Sequence, residues 1–515
     1  MAPIKPIYKK IFEDRKNTIM AHEADPYLGY PTLLDAVNDC RITSQSEVLA
    51  RLLNKENLFI SGPAGSGKTT IIKKFIDIID AVFDGEFNIA ITASTGLAAK
   101  LINGKTVHSW SGLGVYEEDY RKDRKNATFS YFNVKATDVL IIDEISMLPA
   151  YYLDNIDAIL KAANRTNEPF GGIQVIFLGD FLQLPPVVTR NSNTDLNHDY
   201  AITSDAWKNA DITYCFLDKV HRAEDKHLQY LLKSIENNKF TEISQNLVDF
   251  CSTNDKDPNK TYTKLFTINR DVDKYNMDQL NANPNVSYFY KRNVLSGKPD
   301  VVEKLCKEQD VPESIELKLG ATIIITKNVY DTAGNIAAAN GTVGTITKIS
   351  QYSIMVRTND GNEIYVNRAT YSATKNRTLN TLNANGKHIK IKEIIAEVEQ
   401  YPIKLGYAIT VHKSQGQTFD GVEVDLSKCF TPGLGYVALS RVRNIDNLII
   451  TDYSPKAFVV DNRSKKISRY VKKQALKSRQ DFIDNIDLYT SLLKSTLVMS
   501  TLWHVEDAKK NTLTV

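Results

Sequence analysis

One stretch constrains this chain more than any other: Gly62-Pro63-Ala64-Gly65-Ser66-Gly67-Lys68-Thr69-Thr70. An apolar run, Leu58-Phe59-Ile60, precedes it, and Ile71-Ile72-Lys73-Lys74-Phe75-Ile76 follows with helical spacing. Strand, tight glycine loop and helix are the parts of a nucleoside triphosphate site. Glycines let successive backbone N–H groups turn inward on phosphate oxygens. The helix N-terminus adds a favourable field. Lys68 is placed to reach the β- and γ-phosphates, and Thr69 to hold Mg²⁺. Gly62, Pro63, Ala64, Gly65, Ser66, Gly67 and Thr70 complete the cradle. A chance Gly-rich turn would explain neither the full match nor its flanks.

At 515 residues the chain exceeds one ordinary core, so roughly two to four domains are expected. Its net charge is only +3, from 64 basic and 61 acidic residues, so global charge does not decide for or against a nucleic-acid partner. Cysteines 40, 215, 251, 306 and 429 are widely spaced with no CxxC pair. That disfavours a zinc site and suggests a reducing compartment. No apolar run reaches 18 residues, and the N-terminus lacks a secretory apolar region. Lys5, Lys9, Lys10 and Arg15 leave a mitochondrial presequence open, although Glu13, Asp14 and Glu23 interrupt them.

Residues 1–40, broken by Pro3, Pro6, Pro26 and Pro31, read as an accessory segment. Residues 42–57 look helical, with Val48, Leu49, Leu52 and Leu53 as the apolar face. Gln45 lies 23 residues before Lys68. Its amide can pair with an adenine edge, or it is an ordinary surface glutamine. A strand at Asn88–Ala93 leads into Ser94-Thr95-Gly96, and Thr106-Val107-His108-Ser109-Trp110 follows. Hydroxyl residues at a strand's end can touch a phosphate backbone. Trp110 can stack or pack, and His108 can pack or face a ligand. Residues 112–134 interleave Tyr116, Tyr120, Phe129, Tyr131 and Phe132 with dense charge. They read as a solvated loop or as a pin that stacks on bases.

The strand Val139-Leu140-Ile141-Ile142 runs into Asp143-Glu144. Four apolar residues suit a parallel strand buried on both faces. Asp143 is placed to hold Mg²⁺ through water, and Glu144 to polarise the attacking water. A further strand, Ile173–Leu178, ends at Gly179-Asp180-Phe181-Leu182-Gln183-Leu184-Pro185-Pro186. Gln183 can sense the γ-phosphate. Arg222 and Arg441 are candidate cations for the transferred phosphoryl group. Both lie far from the phosphate loop in sequence, which implies a second domain closing over it. Strand-like pieces alternate with Asn340-Gly341 and Asp360-Gly361 turns and read as an inserted β-barrel. Eight basic residues crowd 463–479 without an acid. They read as a solvated tail or as an electrostatic hold on nucleic acid.

From Gln45 to Asp452 the chain resembles the PIF/RecD-like branch of superfamily-one DNA helicases, closest to the PIF group. The resemblance implies an α/β fold with two RecA-like P-loop NTPase core domains, a small wedge insertion and an inserted SH3-like β-barrel. The implied layout is an accessory segment at 1–40, a first core domain at 41–212 with its wedge at about 112–134, and a second core domain at 213–300 and 399–462. The barrel falls at 301–398 and a basic appendage at 463–515. It implies that Gln45 reads adenine and that Lys68 and Thr69 serve the phosphates and metal. Asp143, Glu144, Gln183, Arg222 and Arg441 take the family's catalytic positions. Thr92 to Gly96, Thr106-His108-Ser109 and His412-Lys413-Ser414-Gln415-Gly416 look like its single-strand contacts. Pro149-Ala150 departs from the group's more usual polar residues. ATP and Mg²⁺ are the implied cofactors. Single-stranded DNA and duplex junctions are the implied partners, with activity as a monomer and no membrane. The implied activity is 5′-to-3′ translocation and duplex unwinding in replication, repair, recombination or telomere maintenance. The implied place is nucleus, nucleoid or cytoplasm according to host. A nucleic-acid-stimulated ATPase that remodels protein–DNA complexes without unwinding is the alternative. A vestigial binding module is disfavoured by the intact phosphate-site residues.

Overall fold

Short apolar runs that stop at a polar residue build the first sheet. In the computed structural model, residues 44–83, 87–113, 130–186, 199–218, 225–257, 260, 262–330, 336–338, 341–350, 353–359, 361–382 and 388–485 are described. The first elements are helix α1 (Ser44–Leu53), strand β1 (Leu58–Ser61), helix α2 (Lys68–Phe83), and strands β2 (Ile89–Ala93), β3 (Lys105–Thr106) and β4 (Val139–Asp143). Helix α3 (Ala150–Asn164) and strands β5 (Gln174–Gly179) and β6 (Thr213–Phe216) follow. The six strands are parallel, in the order β3-β2-β4-β5-β1-β6. All four residues of β1 are buried, as are four of five in β4. Helices cover both faces of a sheet buried in this way.

Side chains alternate across the sheet. Phe59 points into a cluster with Phe177, Trp207 and Tyr152. Leu58 and Ile60 point the other way, into one with Ile72 and Phe75. Pro149 is the N-cap of α3; it offers no side-chain cap, and its carbonyl accepts from the Tyr152 and Leu153 N–H groups.

The chain divides into two units, Met1–Tyr262 with Ser414–Val515, and Thr263–Lys413. After Ser414 the first unit adds the parallel pair β7 (Gly421–Leu426) and β8 (Leu448–Tyr453), then helix α4 (Asn462–Asp484). The sequence reads 463–515 as an appendage, whereas residues 462–484 form a helix built into the first unit. Val471 joins the Phe59 cluster and Phe482 the opposite one, so α4 straddles the β6 edge. Arg479 bridges to Glu47 at 3.1 Å.

The second unit carries a five-stranded antiparallel sheet in the order Glu363–Val366, Ile354–Thr358, Val343–Ile349, Thr322–Ile325, Ile403–Leu405. Its core holds Ile323, Ile346, Ile354, Val356 and Tyr401. A long hairpin, Ala369–Leu382 with His388–Gln400, lies within the same unit and pairs with Asn293–Gly297. A parallel pair, Tyr262–Phe266 with Ala408–Thr410, carries both ends of the segment.

Candidate nucleotide site

In an open parallel sheet, ligands bind beyond the carboxyl ends of the strands. Here β4, β5 and β1 are neighbours, with Ser61 level with Gly179 and Ile142 level with Phe177. Asp143-Glu144, Asp180 with Gln183, and the 62–67 loop therefore emerge side by side. The loop is held open by glycine geometry. Gly67 has φ 88°, and a Cβ on Gly62 would sit 2.5 Å from the Leu217 carbonyl oxygen. Helix α2 starts at Lys68 and aims its free N–H groups at the loop mouth.

A cleft of about 1130 Å³ opens there, within the first unit. Gln45, Ala64 to Thr70, Asp143, Glu144, Gln183 and Arg441 all line it. Gly62 and Pro63 stand behind it, and their carbonyls accept from Lys68 Nζ at 2.7 and 3.0 Å. A triphosphate would offer that ammonium stronger, charged acceptors. Arg222 and most of the 112–134 insertion, residues 114–129, lie outside the described residues.

Glu144 adopts a left-handed backbone, φ 52°, immediately after β4. Such conformations are costly for non-glycine residues and gather at functional sites. Its carboxylate is buried, and Oε2 accepts from Gln415 Nε2 at 2.9 Å. The sequence reads Gln415 as a single-strand contact, yet it steadies this carboxylate. The two residues are 271 positions apart, and no local pattern announces the pair. Gln183 is buried and its Nε2 faces Asp180 Oδ2 at 3.5 Å. Arg441 is buried too. Its Nε donates to Val437 O at 2.7 Å, and its terminal nitrogens donate to Ser440 Oγ and to the Ser414 and Gln417 carbonyls.

These residues fit a nucleotide with Mg²⁺. Ser66 Oγ, Gln183 Oε1 and Gln415 Oε1 are buried and meet no protein partner. Orphan polar atoms around one cleft suit a polar ligand. Thr69 and Asp143 would supply the hard oxygen donors that Mg²⁺ takes alongside phosphate and water. Among the described residues no cluster of three His, Cys, Asp or Glu could hold a metal by itself.

Burial and the neighbouring Glu144 carboxylate push Asp143 up to about 7, against a smaller opposing pull from the Glu144 N–H and Lys68. The folded chain therefore keeps a proton that the unfolded chain releases near pH 4. This contribution to stability is present at acid pH and is lost as pH rises from about 4 through about 7. Without Mg²⁺, Asp143→Asn should melt above the parent by roughly 2–4 °C at pH 8, with the gap closing at pH 5. Melting curves at the two pH values check this.

Other candidates are placed differently. Thr92 is buried and gives its hydroxyl to the Ile141 carbonyl at 2.7 Å, so it ties β2 to β4. Thr106 caps the helix Val107–Ser111. Trp110 packs: it is buried, with Nε1 donating to Thr137 Oγ1 at 3.2 Å. His108 lies 4.4 Å from the Tyr152 ring, and burial pushes its pKa down to about 4. In the insertion, Phe132 is 85% exposed on the short helix Tyr131–Ala136. Cys215, Cys251, Cys306 and Cys429 are free and buried.

Comparison with known proteins decides the family. Residues 42–257 match the model of the PIF1-like helicases. The ATP-dependent DNA helicase Pif1 of a Psychrobacter species is 31% identical, over 85% of this chain and 72% of its own length. That of Bdellovibrio bacteriovorus is 31% identical, over 81% of this chain and 89% of its own. The chain belongs to the PIF1-like helicases. Among solved structures, the Pif1 helicase of Candida albicans superposes with a TM-score of 0.70 at 26% identity, over 83% of this chain and 98% of that one. A Bacteroides Pif1 bound to single-stranded DNA gives 0.67 at 30%, over 84% and 97%. The α/β fold with parallel sheets accords with a RecA-like P-loop core in this family.

Proposed function

We propose that this PIF1-like helicase is a motor that hydrolyses ATP with Mg²⁺, moves 5′ to 3′ on single-stranded DNA and unwinds duplexes at junctions. ATP-dependent helicase or translocase activity is the activity of the family. One observation carries the reading: Lys68, Thr69, Asp143, Glu144, Gln183 and Arg441 meet in a single cleft beyond three adjacent strand ends. Lys68 and the α2 N-terminus hold the β- and γ-phosphates. Thr69 and Asp143 hold the metal, which shields phosphate charge when bound. Glu144 orients the attacking water, and Arg441, with Arg222, meets charge on the transferred phosphoryl group. Gln45 reads the base.

Two RecA-like domains are supported by the presence of the parallel pairs β7–β8 and Tyr262–Phe266 with Ala408–Thr410 in addition to the six-stranded sheet. An SH3-like barrel is supported by the antiparallel sheet within 322–405. A single-strand partner is supported by the DNA bound to the Bacteroides relative.

The test is unwinding of a duplex carrying either a 5′ or a 3′ tail, with ATP and Mg²⁺. Unwinding from the 5′ tail alone is expected. Unwinding from the 3′ tail reverses the polarity. ATP turnover stimulated by DNA without strand separation on either substrate would favour a remodelling translocase.

A further inference from the structure

The basic segment 463–479 divides by partner. Four members have one: Lys472 meets Glu236 at 2.6 Å, Arg479 meets Glu47 at 3.1 Å, Arg463 pairs with Asp199, and Lys465 donates to the Asn237 carbonyl. The other four have no acid beside them. Lys466, Arg469, Lys473 and Lys477 are all exposed, and none pairs with an acid among the described residues. At 3.6 residues per turn these four fall within about 80° of one another, on one ridge roughly 16 Å long. The side chains that anchor the helix, Ser464, Val471, Ala475 and Phe482, are buried on the opposite face.

A face kept only for solubility would interleave acids with its lysines. Here no acid occurs between Asp461 and Asp481. Arg469–Lys473 and Lys473–Lys477 are like charges one turn apart, an arrangement that works against the helix. The chain as a whole is nearly neutral, at +3, so the ridge is a local field and not a sample of the average. None of the four lines the nucleotide cleft. A straight, rigid row of cations fits a rigid polyanion better than a flexible one. Along B-DNA each strand offers a phosphate about every 3.4 Å of axis, so the ridge spans roughly five.

The geometry points to the outward ridge of α4 as a docking surface for the phosphate backbone of duplex DNA, distinct from the nucleotide cleft. This rests on the reading of the chain as a DNA motor. The ridge adds hold without sequence readout, because phosphate contacts position and do not specify.

The test uses the full chain and the variant Lys466→Gln, Arg469→Gln, Lys473→Gln, Lys477→Gln. Affinities for a blunt duplex and for a short single strand are measured across a salt series. The logarithmic salt slope on duplex should shrink by about 3–4, near 0.9 per lost phosphate contact. Affinity for the single strand, and the ATP turnover it stimulates, should stay within twofold. A variant with each lysine changed to arginine and Arg469→Lys should restore the duplex slope, which separates charge from helix packing. An unchanged duplex slope overturns the ridge. So does an equal loss on single strands. If the parent binds no DNA of either kind, the motor reading falls with it. If the parent binds DNA and only the slope fails to change, the ridge alone is wrong.

Discussion

Lys68→Ala is expected to cut DNA-stimulated ATP turnover at least about a hundredfold and to weaken nucleotide binding. Loss of one charge-stabilising donor in a preorganised site costs that much. In the folded chain Lys68 Nζ sits across the loop on the Gly62 and Pro63 carbonyls. Alanine removes the only charge on the loop but leaves its glycine geometry. Folding should survive, since Lys68 is half-buried at a helix start and carries no core packing. Glu144→Gln should behave otherwise. It keeps the shape and can still pair with Gln415, but it no longer takes a proton or orients water as an anion. Nucleotide should bind normally while turnover falls by about 10²–10⁴. Equilibrium nucleotide binding alongside single-turnover hydrolysis separates the two. Near-normal turnover in either variant would remove the assignment.

The second large effect is expected at Arg441. Its guanidinium is buried and fixed by Val437 O, Ser440 Oγ and two further carbonyls, so its position is set before any nucleotide arrives. That is the preorganisation a developing phosphoryl charge rewards. Alanine would strand those acceptors and confuse stability with chemistry. Arg441→Lys keeps the charge and loses the planar fork. We expect kcat on saturating DNA to fall by about 10³, with nucleotide affinity changed only a few-fold. A lower melting temperature with normal kcat would make Arg441 a structural clamp.

Four strands of the first sheet, β1, β2, β4 and β5, were legible because they are short apolar runs that lead into polar or glycine-rich loops; Lys105–Thr106 and Thr213–Phe216 lack such a run and were not read as strands. Val139–Asp143 and Gln174–Gly179 match the predicted strands to within a residue or so. The antiparallel sheet was legible through alternation and turn residues, as at Glu363–Val366. Helix α4 was not. Its apolar anchors Val471, Ala475 and Phe482 are sparse, and eight basic residues mask their helical spacing. The phosphate loop is a local pattern and could be read, whereas the Glu144–Gln415 pair is a tertiary one and could not. Thr92 was read as a single-strand contact and Trp110 was left open between stacking and packing for a related reason. A hydroxyl or indole near a site serves the fold as readily as a ligand, and only burial distinguishes the two.

The six-stranded sheet also has a protected perimeter. On one side it ends in β3, only two residues long, and on the other β6 is flanked by α4. A bare strand edge is a template for pairing with another chain. A recombinant fragment cut after Asp452 would keep every residue of the nucleotide cleft, yet it would strip that flank. It should self-associate through β6 and precipitate on expression, while a fragment reaching Asp484 stays dispersed.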